Sequence, residues 1–379
     1  MSVVLPSWFD PGDERAARVV WSRIAEPGDL VAARFVAGRG PAAALRLVLE
    51  AESSRVEVQQ RWRARLAATD PRRDLGILRR LGGRVLVPGD EEWPDPLDDL
   101  GERRPFCLWV RGPGHLGALT ARAVAIVGAR ASTDYGDGLA TELAFGCAER
   151  GICVVSGAAY GVDAAAHRGA LSAAGGTIAV LACGVDRPYP RVNLDLIEQV
   201  AAAGLLVSEV PPGCSPTRNR FIHRNRLIAA LGGATVVVEA GWRSGASITA
   251  SEAAGLGRAV GAVPGPVTSA ASAGCHRLLR TGAVCVTRVG EVAELVDPLG
   301  AVEDERPILP RAVHDDLPEV DLRVLDALPL SRPAPESSLA TVAGLDAAAL
   351  ASSLGRLELL GLARPGPGGW RRGPHPRQD

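Results

Sequence analysis

The chain contains no lysine: all 42 basic residues are arginine, against 43 acidic ones, for a net charge of −1 over 379 residues. A Walker-type phosphate loop, which needs its lysine, is thereby excluded. Any cationic contact to phosphate must use a planar guanidinium, which can bind two oxygens at once. Aromatics are scarce, at seven Trp, five Phe and three Tyr. No apolar run approaches the roughly 20 residues of a membrane span, so no membrane association is expected. The start, MSVVLPSWFDPGDERAARVV, has neither a basic leader nor a long apolar core, and reads as lacking a signal peptide. Seven cysteines without paired short spacings argue against a disulfide framework and against a zinc site. They are expected as reduced thiols in a cytoplasmic protein, with no metal and no cofactor.

What is present is concentrated in Pro211–Ala230, PPGCSPTRNRFIHRNRLIAA, which carries Arg218, Arg220, Arg224 and Arg226 within nine residues. The stretch reads as a basic loop leading into a short helix. It lies between two strand-like apolar runs, Leu205–Val210 and Ala234–Glu239.

Residues 1 to about 100 read as a helical (SAM-like) N-terminal domain. Helical spacing appears at Ala16–Ile24, Leu30–Val36, Ala42–Ala51 and Val56–Ala68. Two roles fit it: a small nucleic-acid-binding module, or a packing and docking domain. A short α/β lead-in follows, with strands expected at Gly83–Val87 and Phe106–Val110. Over 101–297 strands and helices alternate: Ala123–Val127, Ile152–Ser156, Thr177–Leu181, Leu205–Val210, Ala234–Glu239, Ala259–Val263 and Ala283–Val286. These are near-continuous apolar runs, as strands covered on both faces require. The expected fold is α/β, a doubly wound Rossmann-like parallel sheet. Residues 298–318 read as a linker, and 319–379 as a winged-helix domain with helices at Leu322–Leu328, Ser338–Ala343 and Asp346–Leu360 and a terminal hairpin.

The loops at the strands' carboxyl ends share a glycine-rich composition, so one anionic ligand could touch several of them. Tyr135, Tyr160, Tyr189, Phe221 and Trp242 fall one to a loop on that edge. Arginines interleaved with flat rings suit unpaired nucleic acid. Arg130, Arg224, Arg226 and Arg243 are the candidate phosphate ligands. Their competing role is ion pairing with Glu209 and Glu239, while Arg218 and Arg220 read as solvated loop charges and Tyr189 as loop packing. Asp163 reads as a helix N-cap and His167, on an alanine-rich helix, as a structural histidine. Ser156 ends a strand without the GxSxG elbow, so no catalytic residue is assigned. The first loop, GARASTDYG, is not GxGxxG, which leaves dinucleotide binding poorly supported.

The central motifs occur in fixed order: IVGAR at 126–130, SGAAYGVDAAAH at 156–167, GVDRPYPRVN at 184–193, SEVPPG at 208–213, RFIHRNRLIAAL at 220–231, VVEAGWRSGASITA at 237–250 and AVPGPV at 262–267. This series resembles the DNA-processing protein A family (DprA, also called Smf). The resemblance implies a non-enzymatic protein that binds single-stranded DNA during natural transformation and loads the RecA recombinase onto it. It also implies a homodimer through the Rossmann-like domain. The family's DNA pocket would carry over to Arg130, Ser156, Gly157, Arg224, Asn225, Arg226, Arg243, Ser244 and Gly245. Two departures stand out: Ile222 where the family usually has Pro, and Arg243 where it often has Lys. An alternative reading is a nucleoside-monophosphate hydrolase using Glu209 and Glu239 as acid and base, but the PGGxGTxxE pattern of such enzymes is absent. A third, a sequence-specific regulator, is disfavoured because DAAALASSLGRLELL at 346–360 holds Arg356 as its one basic group.

Overall fold

A computed structural model describes residues 10, 12–50, 57–67, 69–297 and 317–373. The chain divides into two compact units, Met1–Glu303 and Asp304–Asp379. Residues 298–316 of the expected linker lie outside the described residues.

Five helices come first: α1 (Glu14–Ile24), α2 (Leu30–Ala37), α3 (Pro41–Glu50), α4 (Glu57–Ala67) and α5 (Pro71–Arg80). The fifth was not among the expected helices. Its signals are local: Asp70 caps the N-terminus by accepting from the Arg72 and Arg73 amides, and Pro71 occupies the first turn, where its missing N–H costs nothing. Trp21, fully buried, packs edge-on against Trp62 at 5.2 Å and donates its indole N–H to Pro41 O.

The lead-in strands β1 (Arg84–Leu86) and β2 (Leu108–Arg111) are followed by α6 (Leu116–Thr120). Then come β3 (Ala123–Val127), α7 (Asp134–Glu149), β4 (Cys153–Ser156), α8 (Val162–Ser172), β5 (Thr177–Leu181), α9 (Leu194–Ala203) and β6 (Leu205–Ser208). The unit closes with α10 (Arg218–Leu231), β7 (Ala234–Val237), α11 (Gly245–Gly255), β8 (Ala259–Ala262), α12 (Ala273–Arg280), β9 (Val284–Cys285) and α13 (Val289–Val296). One nine-stranded sheet has the order β1-β2-β6-β5-β4-β3-β7-β8-β9. Strands β3 to β9 pair in parallel. The lead-in strands join its edge antiparallel, with Trp109 opposite Ser208.

Helices cover both faces. In β3 the side chains alternate: Val124 and Ile126 face the core with α7 and α8, whereas Ala123, Ala125 and Val127 face the core with α10 and α11. The chain steps from β3 towards β6 on one side and returns to β7 on the other. The reversal leaves a crevice at the carboxyl ends of the central strands, where open α/β sheets take ligands.

The N-terminal helices are docked on this sheet. Trp109 Nε1 donates to Ser22 Oγ at 3.2 Å, and Arg23 bonds Asp74 and Pro212 O. The second unit holds α14 (Glu319–Ala327), α15 (Glu336–Ala343) and α16 (Ala347–Leu359), then the hairpin β10 (Ala363–Gly366) and β11 (Gly369–Arg372). All seven cysteines are free thiols. No single described helix is long and apolar enough to cross a membrane.

Candidate nucleic-acid interface

The basic stretch is more helical than the sequence suggests. Thr217 caps α10 by accepting from the Arg220 amide, so the helix begins at Arg218 and runs 14 residues. Residues two apart on a helix do not face one another, and Arg224 and Arg226 therefore diverge.

Arg226 turns inward. Its guanidinium meets Glu209 through two parallel bonds of 2.7 and 2.8 Å, and its Nε donates to Arg103 O at 3.0 Å. At 1% exposure it cannot reach a phosphate. The expectation that Arg226 is a phosphate ligand is corrected: it is an internal strut, held by the buried carboxylate of Glu209 just after β6.

Arg224 lies under the crevice. Its Nη1 donates to Gly157 O at 2.7 Å and to Val180 O. Burial pulls its pKa down to about 10, against an opposing pull from Asp163, so it stays cationic at neutral pH. Gly157 is what lets it sit there: a β-carbon on that residue would fall 2.5 Å from Arg224 Cζ. Asn225 Nδ2 reaches Gly245 O at 3.3 Å and ties α10 to the start of α11.

The loop after β4 is held from below. The Asp163 carboxylate accepts from the Gly157 and Ala159 amides at 3.2 and 3.4 Å. Burial raises the pKa of that carboxyl. The N-cap position of α8 belongs to Gly161, not to Asp163, so the capping role expected for Asp163 is replaced by a fold-back onto the preceding loop. Ser156 is fully buried and donates to Ile126 O at 2.7 Å. Glu239 accepts from the Thr133 amide and hydroxyl at 2.9 and 2.7 Å, fixing the loop after β3 at the start of α7.

His167 is wholly buried, with Nδ1 2.8 Å from Thr177 Oγ1. That hydroxyl already donates to Val154 O, so His167 carries its proton on Nδ1. Among the described residues its Nε2 has no partner, and burial drives its pKa from 6.5 to about 3.

These loops enclose an open cavity of about 1010 Å³. Arg130, Arg218, Arg224 and Arg243 line it against one carboxylate, that of Asp163. Arg130 stands 4.7 Å over the Phe221 ring, with Arg224 at 5.7 Å from the same ring and the Tyr189 ring 5.9 Å away. Among the described residues, Arg130, Arg218 and Arg243 make no ion pair. No group of three or more His, Cys, Asp or Glu among the described residues could hold a metal ion.

Residues 84–297 match the family model described as DNA recombination-mediator protein A. A Mycobacterium tuberculosis protein named as DNA processing protein DprA is 45% identical over 360 residues, spanning 92% of each chain. The chain belongs to the DNA processing protein A family. The X-ray structure of DNA processing protein A from Streptococcus pneumoniae, 30% identical, superposes with a TM-score of 0.63 over 75% of this chain and 98% of that one. A Helicobacter pylori DNA processing protein A structure, described for its unique single-stranded DNA binding mode, is also 30% identical. It gives a TM-score of 0.51 over 56% of this chain and 94% of that one.

Of the residues carried over from the DNA processing protein A pattern, Arg130, Arg224, Asn225, Arg243, Ser244 and Gly245 line the cavity. Ser156, Gly157 and Arg226 lie behind its wall. Phe221 lines it, whereas Tyr160 and Trp242 are exposed outside it, at 44% and 60%. Tyr135 donates its hydroxyl to Pro264 O at 2.7 Å. Arg218, expected as a solvated charge, is exposed and borders the cavity, and Tyr189 borders it while packing on Phe221. The position of Arg218, directly after a threonine cap, was the available signal. Arg220, also expected as a solvated loop charge, is corrected: it lies within α10 and pairs with Glu26 at 3.1 Å.

Proposed function

We propose that this cavity binds single-stranded DNA without marked sequence preference. The observation that carries the reading is the Arg130–Phe221–Arg224 stack in a crevice with four guanidiniums and one carboxylate. Flat rings accept any base face, and guanidiniums accept any phosphate, so affinity is paired with sequence tolerance. The related Helicobacter pylori protein is described for single-stranded DNA binding, which supports the same ligand here. Glu209 and Glu239, the carboxylates a nucleotide hydrolase would need, are both engaged in holding the fold.

Family membership extends the proposal to DNA uptake and recombination, with the bound strand handed to the RecA recombinase, a homodimer through the sheet domain, and a cytoplasmic, non-catalytic protein. The test is a binding titration with single- and double-stranded oligonucleotides across a salt series. Arg224, 5% exposed and bound to backbone carbonyls, sits behind the three open guanidiniums of Arg130, Arg218 and Arg243, so with three phosphate contacts the log–log salt slope for single strands is expected near about −2. Arg130→Ala is expected to weaken every sequence equally and to shrink that slope by about 0.7. Unchanged affinity in Arg130→Ala would refute the pocket.

A further inference from the structure

A second, smaller groove of about 500 Å³ adjoins the first, and Thr217 and Arg218 line both. Its far wall comes from the N-terminal helices. Arg65 projects from α4, and Glu26 from the turn between α1 and α2, towards Arg220 and His223 of α10. The turn is seated tightly against that helix. Gly28, at φ +75°, would place a β-carbon 2.6 Å from His223 Nδ1, so neither its conformation nor the space beside it admits another residue.

The charges here are unbalanced. Arg220 Nε and Arg65 Nη2 both converge on the single carboxylate of Glu26, at 3.1 and 3.2 Å. Arg218 stands beside them with no ion pair among the described residues. The Glu26 and Arg65 side chains are 46% and 43% exposed, and an exposed pair of this kind is weakly held, whereas Arg220, 17% exposed, holds Glu26 more firmly. A phosphate can displace such a carboxylate and meet both guanidiniums.

We infer that the N-terminal helices complete the DNA path. A strand leaving the main cavity past Arg218 continues into this groove and places backbone phosphate on Arg65 and Arg220, where Glu26 is the resident anion. The inference rests on the proposed single-strand reading of the main cavity. It assigns the N-terminal module a direct binding role and gives Glu26 the unusual part of an acidic residue that restrains binding.

The test uses the full chain and fluorescently labelled oligo(dT) of about 6 and about 16 nucleotides, within the range of known single-strand sites. Arg65→Ala is expected to lower affinity for the longer strand about three- to tenfold, reduce its salt slope by about 0.7, and leave the shorter strand unaffected. Glu26→Gln is expected to raise affinity for the longer strand about two- to fivefold, a gain that loss of fold cannot produce. Support requires both results. An Arg65→Ala loss shared by both lengths, or an unchanged longer strand in either variant, overturns the groove while leaving the main cavity standing. A wild-type chain that binds neither length overturns the cavity reading, and this inference with it.

Discussion

Replacing Arg226 with methionine separates folding from DNA contact at one position. The guanidinium is 1% exposed and the Glu209 side chain 11%. Both bonds of the pair run at 2.7–2.8 Å. Two further donations, to Arg103 O and His223 O at 3.0 Å each, tie α10 to the lead-in segment and to its own preceding turn. Removing the cation strands a buried carboxylate, which costs about 3–5 kcal/mol. That is a large share of the roughly 5–15 kcal/mol that holds a typical protein folded. Replacing the pair together, Arg226→Met with Glu209→Gln, removes the stranded charge and is expected to recover most of the loss. Urea unfolding followed by tryptophan fluorescence reads chiefly the first unit, because six of the seven tryptophans precede residue 303. The double variant, once folded, is expected to bind single-stranded DNA as the wild type does. Were Arg226→Met to unfold within about 1 kcal/mol of wild type while losing affinity for DNA, the assignment of Arg226 to the interior would be refuted.

Two other outcomes follow from the site. Gly157→Ala pushes a methyl against the pinned Arg224 guanidinium. It is expected to cost about 1–3 kcal/mol of stability and to weaken DNA binding, whereas Gly245→Ala, with nothing within 4 Å of its added carbon, is expected to leave stability unchanged; equal stability in the two variants would count against the seat. His167, neutral and buried with its pKa driven from 6.5 to about 3, binds a proton in the unfolded chain before it does so in the folded one. Stability is therefore lost as pH falls below about 6.5, reaching about 2 kcal/mol at about pH 5. Asp163, raised by burial, contributes with the opposite sign above the usual carboxylate range. Comparing the wild type with His167→Gln at both pH values cancels that contribution, and parallel pH profiles would refute the account of His167.

Strands β3 and β5 begin and end where the sequence places them, because each is a short apolar run that opens directly after a polar or glycine residue, Arg122 or Gly176. The loops were legible for a similar reason: glycine next to a strand's carboxyl end marks backbone turning towards a ligand. The early start of the helix in the basic stretch was less legible, since the proline, serine and asparagine of PPGCSPTRN favour caps and turns. The edge position of β1 and β2 was not legible at all. Pairing Trp109 with Ser208 joins segments about a hundred residues apart, and no local pattern encodes a partner.

By itself the sequence determined the wound sheet, the family, and a basic, aromatic-bearing rim, because those rest on periodicity, motif order and residue type. Which arginines reach that rim was decided by tertiary structure. Arg224 and Arg226 are chemically identical and two residues apart, yet one lies against a cavity wall of backbone carbonyls and the other against a buried carboxylate. Helix phase and the neighbour each direction meets set that difference, and both exist only once α10 has packed.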